Sequence, residues 1–149
     1  MKHKKAAYDH CSSFVEEKLA RIQNSINSIK ESLNSETKSS AGDKHETGRA
    51  MLQLEREKLG QQLAEVESTK RTLLMVKLNS TVDKVALGSF VRTSTANFFL
   101  SISAGEFKNE SDSVFCVSID TPIGQALLGK SIGDAIAFNG RNVQILEIH

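Results

Sequence analysis

The chain is poor in the residues that mark several protein classes. Its 149 residues include no tryptophan, one tyrosine, one proline and two cysteines. Cys11 and Cys116 lie far apart, in regions of different sequence pattern, so neither a disulfide framework nor a zinc site is predicted. We expect two reduced thiols that pack as small apolar side chains.

Long apolar runs and a strong net charge are also missing. No run approaches the roughly 18 apolar residues of a membrane span, and Met1-Lys-His-Lys-Lys is followed by Ala-Ala-Tyr-Asp-His rather than by the apolar core of a signal peptide. The formal net charge of +1 gives no general attraction to nucleic acid or membrane. We therefore predict a cytoplasmic protein with no membrane partner.

The first half of the sequence has the pattern of two paired helices. Residues 6–33 contain neither proline nor glycine, and their apolar residues recur at alternating spacings of four and three, which is typical of a heptad seam. Residues 46–78 carry a weaker stripe, and the polar stretch 34–42 suits the bend between them. Residues 1–80 are thus predicted to form an antiparallel coiled-coil hairpin. The first stripe comprises Val15, Leu19, Ile22, Ile26, Ile29 and Leu33, and the second Leu52, Leu59, Leu63, Val66 and Leu73.

Residues 81–149 change to β-branched residues with a period of two. This pattern predicts about five antiparallel strands, at 85–91, 97–103, 114–119, 135–138 and 143–148. Asn139-Gly140 is a hairpin signal. Thr121 and Pro122 have the pattern of an N-cap and first residue of a short helix that Gly129 ends. The predicted fold class is α+β, with a helical hairpin before a small domain of strands and one helix.

Two acidic residues stand three apart where the second helix is predicted to begin. Asp43 and Glu46 fit a capping box, in which Asp43 is the N-cap and Glu46 the third helical residue. They also form an acidic tip, at residues 42–46, that is able to hold a divalent cation or complete a site on another protein. Both interpretations stay open at this point.

Other candidates for chemistry are few. Arg49 and Arg56 are candidates to face an RNA backbone, although they alternate with acids as on a solvated helix face. The sequence has no Walker loop, no dinucleotide-binding glycine motif and no His-Glu-x-x-His. We expect no stand-alone enzyme and no tightly bound cofactor.

Two motifs resemble the Gre transcript-cleavage factors. The first is Gly42-Asp43-x-x-Glu46 at the end of a helical hairpin. The second, more specific motif is Ser118-Ile-Asp-Thr-Pro-Ile-Gly-Gln-Ala-Leu-Leu-Gly-Lys130 followed by Ile132-Gly-Asp134, where the family has Ser-Pro-Ile-Ala-x-Ala-Leu-Ile-Gly-Lys and Val-Gly-Asp. Thr121 replaces the family's Ser, and Gly124 replaces its Ala.

The resemblance implies a domain at 81–149 that is FKBP-like and docks at the secondary channel of RNA polymerase. Asp120, Thr121 and Pro122 match the segment that touches the polymerase. Asp43 and Glu46 match the acids that help hold a shared Mg²⁺ of the polymerase active site near the RNA 3′ end. There they stimulate cleavage of backtracked RNA, so nucleic acid is met only within the complex.

The tip departs from cleavage-active members of the family. Those members continue with Asn-Ala-Glu-Tyr, whereas this chain has Thr47-Gly-Arg-Ala50, so Arg49 replaces a Glu. One alternative is therefore a channel-binding regulator that does not stimulate cleavage. A further alternative, which follows from the FKBP-like expectation, is a peptidyl-prolyl isomerase or peptide-binding module. Because the bend separates two complementary seams, we expect a monomer.

Overall fold

Two long helices open the chain, and a mixed β-sheet follows them in a computed structural model. The structure describes the backbone of residues 2–38 and 42–149 and the side chains of residues 3–35 and 46–149. Helix α1 spans Lys2–Lys38 and α2 spans Gly42–Leu74. The predicted bend at 34–42 is too long, because α1 continues to Lys38. No glycine or proline precedes Gly42 to end the helix.

The second half contains six strands and one short helix. The outcome confirms the α+β class and corrects the expected strand number of about five. The elements are β1 (Phe90–Thr93), β2 (Asn97–Ser101), β3 (Gly105–Asn109), β4 (Asp112–Ser118), α3 (Pro122–Leu127), β5 (Ala135–Phe138) and β6 (Arg141–Ile148).

The strand that the sequence did not predict is β3. It forms the edge of the sheet, whose strand order is β3-β4-β2-β1-β6-β5. Its residues Gly105–Asn109 are exposed or half-buried, so they lack the apolar alternation that predicts a strand. The strand predicted at 85–91 begins only at Phe90, after a turn in which Gly88 has a φ of +90°.

The sheet is mixed, and the prediction of purely antiparallel strands is wrong for one pair. Strands β2 and β4 are parallel, with Asn97 opposite Val114 and Ser101 opposite Ser118. The chain leaves β2, passes to the edge as β3, and returns in an antiparallel hairpin as β4. Strand β4 therefore fills the place between β3 and β2 and runs in the same direction as β2.

The chain divides into two compact units. The hairpin unit is Val15–Lys70, and the sheet unit joins Met1–Phe14 to Arg71–His149. The division lies inside both long helices, whereas the sequence suggested a domain boundary near residue 80. The assignment of 1–80 and 81–149 as two functional domains stays a prediction.

The helices of the hairpin unit run antiparallel. Lys70 Nζ of α2 lies 2.8 Å from Glu16 Oε1 of α1, and a groove farther along is lined by Ile22 of α1 and Leu59 of α2. As the residue number rises along α1 it falls along α2. The buried stripe contains Ile22, Ile26, Ile29, Leu59 and Val66.

The sheet unit buries apolar residues on both faces of the sheet. On one face lies a cluster of fully or nearly fully buried side chains, and α3 packs there against β4 and β5. The opposite face is covered by the first turns of α1. The cluster comprises Val85, Val91, Phe98, Leu100, Leu127, Ile136, Val143 and Ile145.

Polar and aromatic contacts join the start of α1 to the rest of the sheet unit. The His3 ring stacks on Phe90, and the His10 ring stacks on Phe107 with centroids 4.5 Å apart. His10 Nε2 lies 2.9 Å from the carbonyl oxygen of Ala104, and the amine of the nearly buried Lys4 donates to the carbonyl of Ser80. The start of α1 is thus part of the sheet unit and not of the hairpin unit.

Candidate functional site

The predicted acidic tip lies at the start of α2. The helix begins at Gly42, so Asp43 lies within its first turn and not at the residue before it. These bounds do not match a capping box with Asp43 as the N-cap. The side chain of Asp43 lies outside the described residues, and its metal-binding role stays a prediction.

Glu46 is exposed in the second turn of α2. Residues three apart are neighbours on a helix surface, so Asp43 and Glu46 belong to the same side of α2. The first turns of a helix favour negative charge because their backbone N–H groups are unpaired. Among the described residues, no group of three or more His, Cys, Asp or Glu side chains is arranged to hold a metal ion.

The two arginine candidates differ in exposure. Arg49 is exposed, three residues beyond Glu46. Arg56 is half-buried and lies seven residues before Leu63 and three before Leu59, on the inward stripe of α2. A guanidinium in that position extends its head from the stripe to reach water. Arg49 is therefore the more accessible of the two to a phosphate.

The segment before α3 has a specific geometry. Thr121 is the N-cap of α3: its Oγ1 accepts from the backbone N–H of Gly124 at 3.1 Å and donates to the carbonyl of Ser118 at 2.7 Å. Pro122 is the first helical residue, as predicted. Asp120 and Pro122 are exposed, whereas the hydroxyl of Thr121 is occupied by the cap.

Gly124 lies where the segment before α3 approaches the helix most closely. A Cβ at this position would overlap the carbonyl oxygen of Ser118, a backbone atom that has no rotamer to change. Glycine therefore allows the segment 118–124 to fold tightly onto the start of α3. An alanine here would require the turn to widen.

An open pocket that the sequence did not predict lies beside the buried cluster. It encloses about 500 Å³ between strands from both edges of the sheet. Phe115 and Phe138 line it, and the Phe138 ring meets Phe98 edge-on with centroids 5.1 Å apart. Glu106 and Arg141 stand among its lining residues with opposite charges. Only the long-range pairing of strands brings these residues together, so no local pattern announces the pocket.

The two cysteines are closer than the sequence indicated. Both are buried, free and part of the sheet unit, which corrects the expectation that they belong to different parts of the molecule. Cys11 Sγ lies 3.7 Å from Ser101 Oγ, and the Cys11 thiol interacts with that of Cys116. The expectation of separate units failed because the sequence pattern assigned all of α1 to the hairpin.

Comparison with known proteins gives similarity to solved structures but no match to a protein family. No protein-family model matches the chain, and no curated protein matches it. Among solved structures the chain is similar to the transcription factor Gfh1, with 19% sequence identity and a TM-score of 0.36. The similarity covers 97% of this chain and 94% of that one. No described helix is long and apolar enough to cross a membrane.

Proposed function

We propose that the chain is an accessory factor of RNA polymerase that stimulates hydrolysis of backtracked RNA through Asp43 and Glu46. The observation that carries the proposal is an exposed carboxylate, Glu46, at the start of a helix of 33 residues. Such a helix is about 50 Å long. It is long enough to present an acidic end at a distant catalytic centre.

The chemistry requires ligands from two proteins. A second Mg²⁺, held jointly by these acids and the polymerase, would supply Lewis-acid chemistry for the hydrolysis. Carboxylates are the natural ligands for this ion because Mg²⁺ prefers oxygen and keeps part of its water shell. In this proposal Asp43 and Glu46 add two such oxygens, and the polymerase supplies the rest. The chain itself binds no cofactor tightly and is not an enzyme on its own.

Docking is proposed to use the segment before α3. The exposed side chains of Asp120 and Pro122 are available to a partner surface. Thr121 contributes by holding the turn, because its hydroxyl already caps α3. The likeness of residues 118–134 to the Gre motif supports this assignment and the FKBP-like nature of the domain. The factor would act in the cytoplasm as a monomer, and it would meet the RNA 3′ end only inside the complex.

Arg49 supports an alternative function at the same place on the polymerase. It places an exposed positive charge three residues beyond Glu46, where cleavage-active relatives have an acid. A guanidinium beside the carboxylates attracts phosphate but also competes for the acids. In that alternative the chain occupies the secondary channel and regulates the polymerase without promoting cleavage.

The test is cleavage of labelled RNA in backtracked complexes of the organism's own polymerase with Mg²⁺. Asp43→Asn and Glu46→Gln should each remove stimulation while polymerase binding stays unchanged. Glu57→Gln is a matched control, because Glu57 is exposed on α2 about 16 Å farther along the helix. This control should retain full stimulation.

Binding is tested separately by competition for the polymerase. Asp120→Asn should weaken binding, and the exposed Asp83→Asn should not. If the wild type binds but cleavage does not change, the regulator without cleavage replaces the proposal. If the wild type does not bind the polymerase at all, both the cleavage-stimulating function and the regulatory function are wrong.

The pocket favours a second candidate function, peptide binding. Two half-buried phenylalanines, Phe115 and Phe138, beside a charged rim can accept an apolar side chain such as proline. Turnover of a proline-containing peptide in an isomerase assay, abolished by Phe138→Ala, would establish this activity. Absence of turnover, together with binding to the polymerase, would exclude the isomerase as the function of this chain.

A further inference from the structure

Two thiols and a hydroxyl meet where α1 covers the sheet. Cys11 Sγ of α1 lies 3.7 Å from Ser101 Oγ of β2. In the parallel pairing of β2 with β4, Cys116 stands opposite Phe99, two residues from Ser101. Side chains two apart on a strand share a face, so Ser101 and Cys116 both point toward α1. Cys11 and Cys116 are therefore neighbours on this face, and each thiol affects the pKa of the other.

The surroundings shift the pKa values of the two thiols in opposite directions. The hydrogen bond from Cys116, together with the one from Ser101, lowers the pKa of the Cys11 thiol, although burial acts in the opposite direction. The hydrogen bond to Cys11, burial and the charge of Cys11 raise the pKa of Cys116 well above its usual range. Cys11 has the second partner, Ser101, so it is the sulfur that ionises. A thiolate is the reactive form of cysteine, whereas its protonated neighbour can resolve the product.

We propose that Cys11 and Cys116 are a peroxide-responsive pair that closes to a disulfide between α1 and β4. The Cys11 thiolate attacks one peroxide oxygen, the O–O bond breaks, and hydroxide leaves and takes a proton to become water. The Cys116 sulfur then attacks the Cys11 sulfenic acid. The S–S bond forms, the S–O bond breaks, and the second water leaves with the Cys116 proton. Two thiols lose two electrons in total, and the peroxide accepts them.

Burial makes this reaction depend on the position of α1. Cys11 is 0% exposed and Cys116 is 3% exposed, so a peroxide reaches them only when the first turns of α1 leave the sheet. Lys4, in the same segment, would regain hydration on opening but would lose its hydrogen bond to Ser80. It is 3% exposed, its amine donates to the Ser80 carbonyl, and burial lowers its pKa because the charged form loses its hydration.

Formation of the disulfide then holds the first turns of α1 in place on the sheet. Sulfurs in a disulfide are about 2 Å apart, which is closer than two hydrogen-bonded thiols. The bond therefore ties α1 to β4 after an opening has occurred. The inference concerns only the sheet unit and does not depend on the proposed action on RNA polymerase.

The experiment treats the reduced full-length chain with hydrogen peroxide and maps the products by mass spectrometry under non-reducing conditions. The expected product is a peptide pair joined through Cys11 and Cys116 within one chain. Its formation should accelerate in urea concentrations below the unfolding transition, because urea populates the open state. Amide hydrogen exchange of residues 3–14 should slow in the oxidised protein.

Two variants separate the roles of the sulfurs. Cys116→Ser should lose the cross-linked peptide and accumulate a sulfenic acid at Cys11, which dimedone traps. Cys11→Ser should show almost no dimedone adduct at Cys116. Circular dichroism of each variant checks that the fold is kept, and the wild-type product mapping does not depend on either variant.

Three results would overturn the proposal. The first is a wild-type chain whose two thiols stay reduced under peroxide that fully oxidises the unfolded chain. The second is formation only of disulfides between chains. The third is an equal dimedone adduct on Cys116 in Cys11→Ser and on Cys11 in Cys116→Ser, which would show that the sulfurs have no distinct roles.

Discussion

The hairpin unit and the sheet unit bury their apolar residues in different ways. In the hairpin unit each helix contributes one stripe, and its other faces are exposed, including Met51 and Leu54 at 66% and 63%. In the sheet unit Phe98, Phe99, Leu100 and Leu127 are completely buried. A stripe can lose a side chain and partly collapse, whereas a packed three-dimensional core is left with a cavity. The sheet unit therefore supplies stability, and the hairpin unit supplies reach.

Phe98→Ala should have the largest effect. The ring is 0% exposed and contacts Phe115 and Phe138, so its removal leaves an unfilled space and should cost about 3–5 kcal/mol. Ile26→Ala on the hairpin stripe should cost nearer to 2 kcal/mol, at the low end of the range of about 2–5 kcal/mol for such a change. Hydrogen exchange measured separately in each unit gives the two values.

The location of the accelerated exchange shows whether the two units unfold separately or together. Exchange should accelerate mainly in residues 71–149 for Phe98→Ala and mainly in residues 15–70 for Ile26→Ala. If both variants accelerate exchange equally throughout the chain, the two units unfold together and the comparison between them fails.

Gly124→Ala is expected to have the next largest effect. The new Cβ would overlap the backbone oxygen of Ser118, so the turn must move, and overpacking of this kind costs about 1–3 kcal/mol. The matched control is Gly60→Ala in the hairpin unit, where nothing lies within 4 Å of the added atom. That change should instead stabilise α2 by about 0.5–1 kcal/mol. Urea unfolding followed by circular dichroism measures both.

If Gly124→Ala lowers the free energy of unfolding and Gly60→Ala raises it, the two glycines serve different purposes. Gly124 permits a close approach of backbone, and Gly60 lies in a helix interior with open space around it. A neutral Gly124→Ala variant would contradict the tight turn at 118–124.

Much of this fold was accessible from the sequence. The stripes of the two helices, the Thr121 cap, Pro122 and the Asn139-Gly140 turn are local signals, and the structure confirms each of them. Asn139 and Gly140 have positive φ angles of 52° and 75°, as such a turn requires. Local patterns succeed where the physical cause lies within a few residues.

The failures have a common physical origin. The parallel pairing of β2 with β4, the edge strand β3 and the meeting of Cys11 with Cys116 all depend on contacts between residues far apart in sequence. The prediction also assigned the whole of α1 to the hairpin, although its first residues belong to the sheet unit. Residues before 15 pack on the sheet, although periodicity alone indicates only that one face is buried. For the candidate site, the sequence identified acids and exposed residues but not the pocket, which forms only after strands pair.

The smallest expected effect concerns the ion pair between Lys70 and Glu16 in the hairpin unit. Lys70 and Glu16 lie 2.8 Å apart, and their side chains are 41% and 55% exposed. Water and salt screen such a pair, so Lys70→Gln should cost less than about 1 kcal/mol, and the cost should disappear at high salt. A double-mutant cycle with Glu16→Gln isolates the coupling between the two side chains. A coupling that survives at high salt would show that the pair is shielded from solvent. Stability in this part of the hairpin unit would then depend on charge, in contrast to the apolar packing that dominates the sheet unit.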